Sequence, residues 1–143
     1  MKTIGLYLSQ RIEGNSLLPI CIGVIYIWFG LLKFFPGVSP AETIALNTIH
    51  ELTLGYIPSR LSLLLLAFWE TALGILLVTG LLKKMAYKIA LLHMILTFTP
   101  FLFFPDQTFT SAPFGLTLLG QYIMKNIVFL GLLVFLLRKE QKG

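Results

Sequence analysis

Four stretches of this chain are apolar for about 20 residues each, the length that crosses ~30 Å of hydrocarbon at ~1.5 Å per residue. They cover residues 16–35, 61–82, 85–104 and 115–137. A segment that is oily on every side has no face to offer to water. Four of them in 143 residues would leave a water-soluble fold coated in hydrocarbon. Composition agrees, with 57% hydrophobic and only 12% charged residues, where soluble domains carry roughly 25% charged residues. The sequence therefore predicts an all-α integral membrane protein, a four-transmembrane-helix bundle in one domain over residues 1–143, with the lipid bilayer as its first partner.

Charge placement sets the expected orientation. Lys2 and Arg11 precede the first stretch, Lys83, Lys84 and Lys88 lie at the second turn, and Arg138, Lys139 and Lys142 follow the last. The two other connections hold only Arg60. Eight basic residues against one place the N-terminus, the second turn and the C-terminus in the cytoplasm. The expectation is a multi-pass protein of the cell (inner) membrane. Gln10, Arg11, Glu13, Gly14 and Asn15 precede the first apolar run, and no small-residue cleavage site follows it, so that run reads as a retained anchor. The formal net charge of +5 sits at the ends of apolar segments, a topology signal, and no nucleic-acid motif accompanies it.

The connection over 37–60 is too long for a turn. Ser39-Pro40-Ala41-Glu42 reads as an N-cap, a proline at the first helical position and a capping-box glutamate. Ala45, Ile49 and Leu52 recur at helical spacing and Gly55 is a natural stop, so a short amphipathic outer helix is expected over about residues 40–54. The other outer connection, 106–113, is polar and short.

Beyond the basic second turn, which takes in Lys88, four ionisable residues lie inside the expected spans: Lys33, Glu70, His93 and Lys125. A charge at the bilayer centre costs roughly 2.5–3.5 kcal/mol on insertion scales, so such groups turn inward and pair. Counting rise per residue puts Glu70, His93 and Lys125 about 13–16 Å below the outer boundary. Lys33 stands near the outer end, able to reach down or to snorkel up. Each span also has one polar or small face: Gly23, Tyr26, Gly30 and Lys33; Ala67, Glu70 and Gly74; His93 and Thr97; Gln121 and Lys125 with Tyr122 and Asn126 beside them. Converging faces would form a buried polar pocket in which Glu70 pairs with Lys125, adjoined by His93, Gln121 and Asn126. The bland alternative is a structural staple, with Lys33 at the interface and His93 packed on Thr97. Trp28, Trp69 and Phe101-Leu-Phe-Phe104 fit packing or an interfacial aromatic belt.

Several chemistries lack their residues. Cys21 is the single cysteine, which excludes an intramolecular disulfide or a cysteine zinc site and suits a small buried hydrophobe. No nucleotide loop, Ser/His/Asp set, metal cluster, haem-spaced histidine pair or gating-charge series is visible. No metal and no resident cofactor are expected, and nothing marks the chain as an enzyme on its own.

Two stretches, Trp28-Phe-Gly-Leu-Leu-Lys-Phe-Phe-Pro-Gly-Val-Ser-Pro-Ala-Glu42 and Gly120-Gln-Tyr-Ile-Met-Lys-Asn126, resemble the DoxX-like membrane proteins, including their YkgB-type branch. The resemblance runs over most of the chain: a first helix ending in Gly-x-x-Lys, Glu70 followed by Gly74, and Lys125-Asn126 in the fourth helix. It implies a four-helix membrane bundle associated with redox biology, since name-giving relatives accompany quinone-linked sulfur oxidation and the YkgB-type branch is tied to oxidant stress. Similar animal bundles are assembly chaperones of membrane receptors.

The leading expectation is a small membrane protein whose outer-half pocket binds a quinone or lipid-like molecule in a redox or stress-related role. Glu70 and Lys125 would set its polarity, Gln121, Asn126 and His93 would donate or accept hydrogen bonds, Trp28 and Tyr122 would stack, and Lys33 counts among the same cluster of candidate site residues. An assembly or accessory subunit of a larger membrane complex is the alternative. Proton-coupled transport is the third, disfavoured by the lack of an internal repeat unless the protein forms a homo-oligomer.

Overall fold

The computed structural model describes residues 17–142. Lys2 and Arg11, which weigh in the charge argument, Ser16 at the start of the first expected span, and the residues behind the retained-anchor reading lie outside that range. The described elements are α1 (Leu17–Leu32), α2 (Glu42–Leu52), α3 (Ser59–Thr79), α4 (Lys83–Leu96), α5 (Pro100–Phe103), α6 (Pro105–Thr108), β1 (Phe109–Ser111), β2 (Gly115–Leu116), α7 (Leu118–Met124) and α8 (Ile127–Lys142).

Three helical stretches are long and apolar enough to cross a membrane: Ser59–Thr79, Lys83–Phe103, which joins α4 to α5, and Leu118–Gln141, which joins α7 to α8. Where the sequence predicts a fourth, α1 is apolar but has 16 described residues. It ends in a tighter turn, with the amides of Lys33, Phe34 and Phe35 donating to the carbonyls of Gly30, Leu31 and Leu32. The fold is mostly helical and is compatible with an all-α membrane protein. Leu65, Phe68, Ile75, Leu92, Val128 and Phe135 stand exposed around its girth, where only a hydrocarbon solvent suits them.

Glycine lets α1 lie directly on α3. A Cβ on Gly23 would come 2.7 Å from the Gly74 carbonyl oxygen, and one on Gly74 would come 2.7 Å from that of Gly23. Further along, a Cβ on Gly30 would meet the Thr71 hydroxyl at 2.6 Å and Glu70 Cβ at 3.1 Å. The two helices therefore run antiparallel in backbone contact, the close approach that small residues permit in membranes. α4 and α8 form the second antiparallel pair, spanned by Lys83–Glu140 at one end and Asn126–Thr97 at the other. The core lies between the pairs: Ile22, Tyr26, Leu73 and Leu77 from one, Ala86, Tyr87, Ala90, Met94, Leu133 and Leu136 from the other. The link from α3 to α4 is a tight turn with Gly80 and Leu82 both at positive φ, of 66° and 49°.

The outer connections are more structured than their sequence suggests. Residues 106–113 fall in α6 and an antiparallel β1–β2 hairpin, not a bare polar loop. The Thr117 hydroxyl caps α7 by accepting from the Gly120 amide and donates to the Gln107 carbonyl, tying hairpin to helix. α2 begins two residues later than expected. Its N-cap is Ala41, with no side-chain cap. Ser39 Oγ is buried without a partner, and the Glu42 carboxylate accepts instead from the Gly37 amide at 2.7 Å. The Glu42 carboxylate therefore closes on an amide two residues before that of Ser39, at Gly37, whose φ of 80° turns the chain there.

Candidate functional site

Lys33 and Glu70 form a buried ion pair, Nζ to Oε2 at 2.6 Å, with side-chain exposures of 6% and 11%. The pair exists because of the glycine seam. Gly30, one turn before Lys33, brings the end of α1 against Glu70 and Thr71, and the Lys33 ammonium also donates to the Phe29 carbonyl at 3.3 Å. Lys33 neither reaches water nor snorkels. This corrects the expected Glu70–Lys125 pairing. Depth fixes the height of a residue in a span and leaves its azimuth open, and Lys125 is on the exposed side of its helix.

His93 on α4 completes the cluster. Its Nε2 lies 3.8 Å from Glu70 Oε1, in ion-pair range but too long for a hydrogen bond. Its ring packs on Tyr26 with centroids 5.4 Å apart, and the Tyr26 hydroxyl donates to the Ala90 carbonyl at 3.4 Å, one turn before His93. His93 thus packs on Tyr26 and against the ion pair. Two polar atoms here have no partner: His93 Nδ1 and Thr71 Oγ1 are both buried without a hydrogen bond. An unpaired buried polar atom costs about 1–3 kcal/mol, so this core carries unused hydrogen-bonding capacity beside a fixed charge pair.

Two helix breaks meet close by. The stretch Lys83–Phe103 breaks at Thr97–Thr99, where Pro100 supplies no amide to continue the ladder and Phe98 and Thr99 donate three residues back. The stretch Leu118–Gln141 breaks at Lys125–Asn126, where the Asn126 and Val128 amides also reach back three residues. Asn126 Nδ2 donates to Thr97 Oγ1 at 3.2 Å, and Thr97 Oγ1 donates to the Met94 carbonyl. The polar side chains of one break thus satisfy the other, as discontinuous membrane helices require. The break also separates two neighbours in sequence, with Asn126 half-buried and Lys125 exposed.

The remaining expected site residues fall outside the cluster. Gln121 is exposed, and so is Trp28 at 65%. Tyr122 is 45% exposed and meets Phe29 edge-on at 6.1 Å, so it flanks α1 next to Lys33 without entering the core. Trp28, Gln121 and Lys125 therefore lie on the exposed surface, away from the cluster. Tyr26 and Thr71 belong to the cluster. Tyr26 shares a helix face with Lys33 at a spacing of seven, the signal that points to it in the sequence, while Thr71 is seen only once Gly30 is placed on it. Cys21 is exposed instead of buried. Among the described residues no group of three or more His, Cys, Asp or Glu side chains could hold a metal.

No family model, no curated protein and no solved structure matches this chain.

Proposed function

We propose that this membrane protein binds an amphipathic, oxygen-bearing molecule, a quinone or a lipid-like compound, at the Lys33–Glu70–His93 cluster. The observation that carries the reading is His93 Nδ1, buried without a hydrogen bond on a ring whose other nitrogen faces Glu70. A quinone or ester carbonyl accepts from such a nitrogen and from the Lys33 ammonium, while Glu70 keeps that ammonium in place. Tyr26, Phe29 and Tyr122 supply aromatic walls, and the seam where Phe29 meets Tyr122 is the lateral route from the bilayer. A redox or oxidant-stress role rests on the DoxX-like resemblance, and the binding role rests on the cluster.

In this reading the chain spans the cell (inner) membrane with its basic ends and second turn in the cytoplasm, α1 being the fourth crossing. The cluster then lies in the outer half, within reach of molecules dissolved in the membrane.

The test is a thermal midpoint in neutral-lipid nanodiscs with a short-chain benzoquinone. Ligand held at about 100 times Kd raises stability by about 2.7 kcal/mol. Wild type is expected to show a saturable rise that His93→Leu lacks and that an alkylbenzene without carbonyls does not produce. Equal shifts in wild type and variant, or no shift in either, would refute the proposal.

One observation favours the assembly-subunit reading. Leu54, Tyr56, Phe114 and Leu118 at the outer end are 82–92% exposed. A partner membrane protein covering them would crosslink from Tyr56 and Phe114 at one reproducible mass, whereas lipid alone would give none.

A further inference from the structure

A cavity lies at the opposite end of the bundle from the outer connections. It has a volume of about 250 Å³ and is bounded by the first residues of α1, the end of α3, the start of α4 and the end of α8. Its polar lining is Lys83, Lys139, Glu140 and Tyr87, and its apolar wall includes Leu77 and Leu136. Tyr87 is only 3% exposed, and its side chain lines the cavity. With two lysines at the same rim the lining is donor-rich, and Glu140 is the one carboxylate acceptor in it.

The existing acceptor is weak. Glu140 approaches Lys83 at 3.8 Å, with both side chains more than a third exposed, an arrangement worth little and easily exchanged. Around the cavity the charge is one-sided, with Lys84, Lys88 and Arg138 also exposed at this end. α4 starts on Lys83 and Lys84 with no acidic residue in its first turn and no side-chain cap, so its free amides add to the positive field. An anion is the missing complement. The volume is below the ~300–1,000 Å³ of pockets that enclose a whole drug-sized ligand, which suits a headgroup whose acyl chains stay outside it in the bilayer.

We propose that this cavity binds the phosphate of an anionic phospholipid, with Lys83 and Lys139 pairing to the phosphate and the Tyr87 hydroxyl donating to it. The site is independent of the Lys33–Glu70–His93 cluster, which lies toward the other end of the same helices. Basic pockets between helices at the cytoplasmic face recognise lipid headgroups by this chemistry.

The test is native mass spectrometry of delipidated full-length protein in neutral detergent, titrated separately with phosphatidylglycerol, phosphatidylcholine and inorganic phosphate. Phosphatidylglycerol is expected to give a discrete adduct at concentrations where phosphatidylcholine and inorganic phosphate give little. Lys83→Gln with Lys139→Gln should weaken that adduct by about tenfold or more, at ~1 kcal/mol per basic residue. Tyr87→Phe, which keeps the buried ring, should weaken it by roughly fivefold, and Arg60→Gln at the outer end should leave it unchanged. Equal adducts with both lipids, or phosphatidylglycerol binding unaffected by the lysine and tyrosine changes, would overturn the proposal. Inorganic phosphate binding as well as the lipid would overturn the lipid assignment in favour of a free-anion site.

Discussion

Lys33 Nζ and Glu70 Oε2 meet at 2.6 Å inside a chain that is otherwise mostly hydrocarbon. Neither helix could carry its charge alone at this depth, and the backbone contact of α1 with α3 lets them cancel. The pair therefore stabilises the fold only as a pair, and what it leaves unused, His93 Nδ1 and Thr71 Oγ1, is the candidate binding surface.

Breaking that pair from one side should be far worse than removing it. Lys33→Met strands the Glu70 carboxylate and is expected to cost about 3–5 kcal/mol. Lys33→Met combined with Glu70→Leu should recover most of that loss. Reversible unfolding of the single and double variants in mixed micelles checks it; additive losses would show that the two side chains do not act together.

The glycine seam predicts a sharp positional contrast. Gly74→Val places atoms against the Gly23 carbonyl and the Ile27 backbone, both within 3 Å of the added Cβ, and should cost about 1–3 kcal/mol or more as α1 is pushed off. Gly131→Ala meets nothing within 4 Å and should be neutral. Thermal midpoints of the two variants, measured side by side, decide the point.

Removing the bond between the two helix breaks should be mild. Asn126→Leu deletes the 3.2 Å hydrogen bond to Thr97, and interhelical hydrogen bonds in membranes average about 0.6 kcal/mol. A loss in that range is expected, with faster amide exchange at Phe98 and Val128 as the breaks open. A loss above about 2 kcal/mol would mean that Asn126 supports more than the break.

The orientation can be read with single cysteines in a Cys21→Ala background. Thr110→Cys in the hairpin should label with a membrane-impermeant maleimide on intact cells, and Gln141→Cys should label only after permeabilisation. The reverse pattern would invert the topology.

The sequence was most legible where a property is one-dimensional. Apolar length located the long helices to within a few residues, and the glycine faces of the first and second stretches do form a buried seam. Depth likewise put Glu70 and His93 at one level. Azimuth was hidden, because a helix break at Lys125–Asn126 turns the lysine outward, and nothing in Met-Lys-Asn announces a break without the opposing Thr97. The place of Lys33 near a span end left it free to reach down or to snorkel up. Its burial follows from Gly30 lying on Thr71, a tertiary contact. The same limit applies to Ser39, a cap by motif whose hydroxyl ends up without a partner once Gly37 turns the Glu42 carboxylate to its own amide.

The most direct test of the central claim is native mass spectrometry of wild-type protein and Glu70→Gln released from mild detergent. The account predicts a defined small-molecule adduct on the wild type, of quinone or lipid mass, that Glu70→Gln weakens while remaining folded. An empty wild-type protein, or an adduct equally strong on the variant, would contradict it.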